Sequence, residues 1–271
     1  MSKPLPAWSL PADAAAAAAI ARVWPEPVTR EWAIGESTGE GVSVCVVDSG
    51  VDGAHPQVAP LASAVAVERQ EDELVVVPDE TGDVVGHGTA CAGIVRAVAH
   101  GVELHSVRVL GAGAKGSGDV MLTGLRHAVE QGYKVINLSF STTKRQLAEV
   151  LHELADTAYF GGSILVASAH NMPVESYPWR FESVVSVGSH DENDPLLWYA
   201  NPNPPVEFFA HGIDVDIAWP GGGTMRASGN SFAAPHIAGI CALILGAHPE
   251  LTPFQLKSLL YLTAANTGGT E

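Results

Sequence analysis

Several short stretches of the chain are apolar at nearly every position and rich in β-branched residues. One runs from Val42 to Val47, and comparable runs lie at residues 133–139 and 163–169. Such runs are typical of strands that are buried on both faces of a parallel sheet. Amphipathic or small-residue segments between them, such as residues 144–160, predict helices. This alternation predicts an α/β fold.

One predicted helix differs from the others because it is apolar on all sides. It includes Ile237 to Leu245 and must therefore be buried. We expect Pro235 in its first turn, where a missing backbone N–H removes no hydrogen bond. Ser231, which follows a Gly-Asn pair, then falls at or just before the helix N-terminus. Free N–H groups at that position would point at the serine oxygen and at an oxyanion formed beside it.

Two polar side chains upstream could serve such a serine. Asp48 directly follows the strand predicted at Val42 to Val47, at the carboxyl end where open α/β sheets carry their chemistry. His87 stands between two glycines at the start of a predicted helix of small residues, so other backbone can approach its ring closely. A serine, a base and an acid that orients the base are what nucleophilic catalysis requires.

The three side chains stand in three motifs: Asp-Ser-Gly-Val at 48–51, Gly-His-Gly-Thr at 86–89 and Gly-Asn-Ser-Phe-Ala-Ala-Pro-His at 229–236. In content and order the motifs resemble the subtilisin-like serine peptidases, the subtilase family. The resemblance runs from about Gly41 to about Thr263. It implies a three-layer sandwich with a central, mostly parallel β-sheet flanked by helices. It also implies a serine endopeptidase that works through an acyl-enzyme, with Asp48, His87 and Ser231 as its catalytic triad.

Other segments resemble the walls of the family's substrate cleft. Asn171 stands at the place of the asparagine that donates a hydrogen bond to the oxyanion. The peptide would bind as an added strand. The resemblance assigns that binding to Gly116, Ser117, Gly118, Ser139, Phe140, Ser141, Ala169 and His170. Three of these depart from the family's usual residues, because Phe140 replaces leucine and Ser141 and His170 replace glycine. His170 either narrows the cleft or points to solvent, and the family's specificity does not carry over.

Three local expectations also follow. Asp119 is expected to cap a helix over residues 120–131, and the resemblance implies a cis peptide bond at Tyr177-Pro178. The connection over residues 95–110 is too short and too poor in oxygen ligands for the calcium loop that many relatives carry there. We therefore predict no calcium at that place, no cofactor, and no metal requirement for catalysis.

Length and charge narrow the choice of partners. With 271 residues, 46% of them apolar, the chain can form one sizeable core. The formal net charge is −16, from 14 basic and 30 acidic residues. This charge argues against nucleic acid or an anionic membrane as a partner. It weakly favours basic peptides, although an acidic surface that only aids solubility fits equally well.

The first 35 residues show no resemblance to the family. We predict an N-terminal arm over 1–35 with a short Ala-rich helix, followed by a peptidase domain over 36–271. A short inhibitory or docking segment is the alternative interpretation. The arm is not a convincing signal peptide. The chain also has three cysteines in apolar settings, an odd number that suits free thiols: Cys45, Cys91 and Cys241. Both features predict a cytoplasmic protein.

Two other functions remain open beside a peptidase. One is a catalytically silent module that uses the same fold for binding. The other is an acyl-transfer enzyme that tailors peptides by passing the acyl group to an amine. Among peptidases, selective intracellular processing fits a small chain without a calcium loop better than bulk degradation does.

Overall fold

The computed structural model describes residue 9, residues 24–111, residue 113 and residues 116–267. The Ala-rich helix predicted within the arm lies outside these residues. The helices are α1 (Arg30–Ile34), α2 (His87–Val98), α3 (Gly118–Glu130), α4 (Ala148–Phe160), α5 (Asn230–Ala247) and α6 (Pro253–Leu262). The strands are β1 (Ser43–Asp48), β2 (Ser63–Gln70), β3 (Glu73–Pro78), β4 (Glu103–Arg108), β5 (Val135–Leu138), β6 (Ile164–Ser168), β7 (Val184–His190), β8 (Trp198–Ala200), β9 (Phe208–His211), β10 (Val215–Trp219) and β11 (Gly223–Ala227).

Nine of these strands form one sheet in the order β3-β2-β4-β1-β5-β6-β7-β9-β8, and β10 pairs with β11 in a separate hairpin. The strands from β2 to β9 in that order are parallel, and only the edge strands β3 and β8 run antiparallel to their neighbours. β1 lies between β4 and β5. Strands β2 to β4 are added on one side of β1 and strands β5 to β9 on the other, so the order of the strands switches sides at β1. The carboxyl end of a strand at such a point is where α/β sheets bind ligands.

Helices cover both faces of the sheet, which confirms the three-layer prediction. The residues of β1 show how the core is divided between the two faces of the sheet, because successive side chains of a strand point to opposite faces. Val44 and Val46 belong to the core under α2 and α5, whereas Cys45 and Val47 belong to the core under α3 and α4. Asp48 follows Val46 by two residues, so its side chain points to the same face as those of Val44 and Val46. Its carboxylate therefore faces the side of the sheet that α2 and α5 cover.

Helix α5 is buried as its sequence predicts, and every residue from Phe232 to Leu245 is buried. Among the described helices it is the one long and apolar enough to cross a membrane by length and composition. However, 78% of that stretch is buried inside the protein, as expected for a core helix.

The place of Pro235 differs from the prediction. Helix α5 begins at Asn230, so Pro235 is its sixth residue and lies in the second turn, not the first. Without an N–H it cannot donate to the carbonyl of Ser231 four residues earlier. The thiol of Cys91 on α2 supplies the missing donor, with Sγ 3.6 Å from the Ser231 oxygen. An interior proline is tolerated because a neighbouring helix satisfies the carbonyl that it leaves free.

Two further local predictions have opposite outcomes. The peptide bond Tyr177-Pro178 is cis, as predicted. Asp119 is not a helix cap, because α3 begins at Gly118 and its N-cap residue is Ser117. The chain turns into the helix two residues earlier than expected, and Asp119 lies in the first turn. There its Oδ2 pairs with Nη2 of Arg69 at 2.5 Å, and an acidic group also suits the positive end of the helix dipole.

The described end of the arm packs against the C-terminal part of the chain. The guanidinium of Arg30 lies 4.2 Å from the centre of the Trp198 ring, and its Nη2 donates to the carbonyl of Thr263 at 3.4 Å. The Trp32 ring lies 4.4 Å from that of His248, just after α5. Helix α1 thus lies at the far end of α5 from Ser231.

Candidate active site

Asp48 and His87 are in direct contact. Asp48 is fully buried at the end of β1, and His87 is the first residue of α2, with 23% of its side chain exposed. Nδ1 of the ring lies 2.9 Å from both carboxylate oxygens. With the ring proton on Nδ1, this contact leaves Nε2 as the nitrogen that can accept a proton.

The surroundings of His87 strengthen it as a base. Burial of the ring is the largest single influence on the pKa of His87 and lowers it, but the charge and hydrogen bonds of Asp48 and Cys91 together raise it by more, so the net effect is a raised pKa. A nearby opposite charge favours the protonated ring in this way. The ring is also held from the side by Phe232, with the two ring centres 5.4 Å apart.

A cavity of about 410 Å³ opens beside His87 and contains Ser231, the second residue of α5. No hydrogen bond joins Ser231 Oγ to the ring in the described part of the chain, but both side chains line this cavity. Catalytic hydrogen bonds are often long before substrate binds. A larger cavity of about 700 Å³ lies beside α6, and its lining includes neither His87 nor Ser231.

Asn171 is oriented toward the same point as Ser231. Its Oδ1 accepts a hydrogen bond from the backbone N–H of Asn230 at 2.9 Å, which leaves Nδ2 free to donate. Gly229 lies between the two groups. A Cβ atom on Gly229 would be 3.3 Å from Ser231 Oγ and 3.5 Å from Asn171 Nδ2. A donor beside the nucleophile is suited to hold the negative oxygen that forms when the nucleophile attacks a carbonyl.

The cavity collects most of the residues predicted for substrate binding. Its lining consists of His87, Leu110, Ser139, Phe140, Ser141, Ser168, Ala169, His170, Asn171, Ser231 and Phe232. Gly116, Ser117 and Gly118 are not part of it. They form the turn into α3, where a Cβ atom on Gly116 would lie 2.8 Å from the Val109 carbonyl oxygen. Their contact with substrate stays a prediction.

Comparison with known proteins identifies the family to which this site belongs. A family model described as the subtilase family matches residues 39–271. The chain belongs to the subtilase family. Subtilisin DY of Bacillus licheniformis is 30% identical over 245 residues, covering 85% of this chain and 86% of that protein. Subtilisin Savinase of Lederbergia lenta is 31% identical over 245 residues, covering 86% of this chain and 87% of that protein.

A solved structure gives the same result. The crystal structure of a cold adapted subtilisin-like serine proteinase superposes with a TM-score of 0.70 and is 29% identical in sequence. The match covers 87% of this chain and 88% of the other. The subtilase described here is a serine-type endopeptidase.

Two departures from the family pattern shape the cavity of this subtilase. Ser141 Oγ donates to Ser176 Oγ at 3.1 Å, and Ser176 Oγ also accepts from Trp179 Nε1 at 2.8 Å. The hydroxyl of Ser141 thus links the cavity wall to the buried Ser176. His170 does not simply point to solvent. Its half-buried ring accepts the N–H of Met172 at 2.9 Å. The same ring lines both the cavity beside His87 and a neighbouring one of about 440 Å³.

One group at the site could in principle hold a metal ion. Asp48, His87 and Cys91 place one ligand atom each within 4.8 Å of one another. Burial raises the pKa of the Cys91 thiol, although His87 opposes this, and a protonated thiol is a poor metal ligand. A metal would also replace the hydrogen bonds between Asp48 and His87. The group therefore fits an acid and base pair better than a metal site.

Two residues that the sequence did not single out contact the segments of Asp48 and His87. Asp83 lies four residues before His87 and accepts hydrogen bonds from the start of α2. Ser49 is fully buried, and its N–H donates to Asp48 Oδ1 at 2.7 Å. Asp83 stands three residues before the N-cap residue Gly86, outside the position from which Asp usually caps a helix, so its sequence position gave no signal.

Proposed function

We propose that Ser231, His87 and Asp48 form the catalytic triad of this endopeptidase. Ser231 Oγ attacks the peptide carbonyl carbon while His87 Nε2 takes the hydroxyl proton. The C–N bond then breaks, the proton passes from His87 to the leaving amine, and the acyl group stays on Ser231. Water repeats the sequence and releases the acid. The observation that carries this proposal is the contact of Asp48 with Nδ1 of His87, beside a cavity that contains Ser231.

The negative oxygen of each tetrahedral intermediate needs donors that are already in place. We assign that role to Nδ2 of Asn171 and the backbone N–H of Ser231. The position of Gly229 between Asn171 and Ser231 supports the assignment, because a side chain there would fill the space that the oxygen must occupy. Helix α5 begins at Asn230, so its free N–H groups add positive charge at the same point.

We further propose a selective processing protease that binds its peptide as an added strand. Ser141 and His170 add polar side chains to the cavity walls, and Phe140 adds a ring. A cavity of about 410 Å³ with these walls favours a narrow set of side chains before the cut. The three cysteines are buried and unpaired, which suits a reducing compartment and supports a cytoplasmic location.

The first experiment is labelling of the purified chain with a fluorophosphonate probe, together with hydrolysis of a peptide library. We expect labelling in the parent and none in Ser231→Ala or His87→Ala. Ser258→Ala is the matched control, because it removes a hydroxyl from the exposed side of α6. Hydrolysis that survives in Ser231→Ala would contradict the triad.

The same library tests selectivity. We expect cleavage after few residue types and slow cleavage of unfolded casein. Rapid cleavage of casein at many sites would contradict a processing role and leave the endopeptidase assignment intact. Transfer of the acyl group to added amines would instead favour the acyl-transfer alternative.

A further inference from the structure

Helix α2 begins at His87 without a capping side chain on its own N-cap residue. That residue is Gly86, whose φ of 104° lies in the left-handed region that suits glycine. The first N–H groups of a helix have no partner within the helix and need one from elsewhere. Because His87 is the first residue of α2, whatever binds these groups also sets the position of its ring.

Asp83 provides the acceptors for two of these N–H groups, those of Gly86 and Thr89. Its Oδ1 accepts from the N–H of Val85 at 2.9 Å and of Gly86 at 2.7 Å, and from the hydroxyl of Ser49 at 2.8 Å. Its Oδ2 accepts from the N–H of Thr89 at 2.8 Å and from the Thr89 hydroxyl at 2.6 Å. A carboxylate at the start of a helix is also stabilised by the helix dipole. One side chain therefore binds the backbone on both sides of His87.

Ser49 connects this cluster to Asp48. Its hydroxyl accepts the N–H of Gly88 at 3.0 Å while donating to Asp83, and its own N–H donates to Asp48 Oδ1 at 2.7 Å. Asp83, Ser49 and Asp48 thus form a continuous chain of hydrogen bonds. The chain joins the end of β1 to the start of α2, two segments that come from different parts of the sequence.

Close packing leaves little room for these segments to move independently. A Cβ atom on Gly88 would overlap the carbonyl oxygen of Gly50 and lie 3.3 Å from Cβ of Asp48. The start of α2 therefore rests directly on the turn after β1. A change in the hydrogen bonds of Asp83 would shift the His87 ring relative to Asp48, and not the helix alone.

We propose that Asp83, acting through Ser49, is a positioning residue that holds the His87 ring against Asp48. The proposal rests on His87 being the general base, as stated above. The hydrogen-bond partners of Asp83 are Ser49, Val85, Gly86 and Thr89, none of which is proposed to react. Its effect is on geometry, and small displacements of a catalytic group can cost about 100-fold in rate.

Asp83→Asn is the direct test, because it keeps the size of the side chain and removes its charge. The amide NH₂ would face N–H donors where an oxygen now accepts, so the start of α2 must move. We expect kcat to fall about 10- to 100-fold with KM changed less than about twofold. The contact with Asp48 raises the pKa of His87, so a looser contact should lower that pKa. The pH at which kcat/KM falls on the acid side should then be lower than in the parent.

Two further variants separate positioning from general destabilisation. Thr252→Ala removes the N-cap of α6, far from the site, and should lower the melting temperature while leaving kcat and the pH profile at parental values. Ser49→Ala cuts the connection between Asp83 and the N–H of Gly88 but leaves Asp83 capping Thr89. It should lower kcat by a smaller factor, with KM unchanged.

The outcomes are distinct. Parental kcat and pH profile in a folded Asp83→Asn would overturn the proposal, and so would an equal loss of kcat in Thr252→Ala. If Asp83→Asn does not fold, Ser49→Ala decides, since parental kcat in that variant would also overturn it. Failure of the triad assignment appears separately, as activity that survives in Ser231→Ala.

Discussion

Asn171 shows how a single hydrogen bond can orient an exposed side chain. The N–H of Asn230 holds its Oδ1, so the Nδ2 group is directed away from that contact and toward Ser231, the proposed nucleophile. The same hydrogen bond joins the loop after β6 to the first residue of α5. An amide is needed for this, because one of its ends must accept and the other must donate.

Asn171→Ala should therefore lower kcat by about 10²- to 10³-fold, a range that itself derives from a subtilisin, with little change in KM. Nδ2 of Asn171 is expected to bind the oxyanion of the transition state and not the uncleaved peptide. Its loss should therefore lower kcat and leave KM nearly unchanged. Steady-state kinetics on one good peptide substrate measure it. Asn203→Ala, in an exposed loop, is the control. A loss that appears in KM alone would assign Asn171 to peptide binding instead.

At the scale of elements, α5 carries both the proposed nucleophile Ser231 and a buried histidine. His236, only 4% exposed, donates from Nδ1 to the carbonyl of Phe232 at 2.9 Å. Burial lowers the pKa of His236 to about 4, and the nearby His211 and His190 add to this effect. The ring of His211 lies 5.5 Å from that of His236 and 6.4 Å from that of His190. The core around α5 therefore favours a neutral imidazole.

This burial predicts a loss of stability in mild acid. Between pH 6.5 and about 4 the unfolded chain binds a proton at His236 that the folded chain excludes, so the free energy of unfolding falls as pH falls through that window. The loss from this one group approaches about 3 kcal/mol near pH 4. Urea unfolding at several pH values measures it.

Two variants isolate the contribution of His236 from that of other titrating groups. His236→Gln should remove this part of the pH dependence, whatever its effect on stability at pH 8. His152→Gln, on the exposed side of α4, should keep the parental dependence. Parallel pH curves for the parent and His236→Gln would contradict the prediction.

For the whole molecule, the net charge of −16 sets the long-range field. An acidic protein attracts basic peptides, and salt screens the attraction, since the Debye length falls from about 30 Å at 0.01 M to about 3 Å at 1 M. We expect kcat/KM for a lysine-containing peptide to fall about 3- to 10-fold over that range. A twin peptide with glutamine in place of lysine should change little. Equal salt dependence for the two would show that the charge serves solubility only.

The placement of single residues shows how far the sequence could be interpreted alone. Asp48, His87 and Ser231 were predicted as site residues because each lies in a motif with its own local reason, at a strand end, between glycines or at a helix start. Asp119 and Pro235 were misplaced by a few residues, because the exact first residue of a helix depends on which N–H groups find partners. Asp83 was missed because its five partners are backbone and hydroxyl groups that no residue pattern marks.

The sequence by itself determined the α/β class, the buried central strand, the fully buried α5 and the three motifs of the site. These follow from local patterns, since side-chain period and apolar content report how each element is covered. Only the tertiary structure decided that Asp48 faces α2, that Cys91 satisfies the Ser231 carbonyl, and that Asn171 is oriented by Asn230. Each of these is a contact between elements, and its geometry depends on how strands order and helices pack, which no single segment of the chain contains.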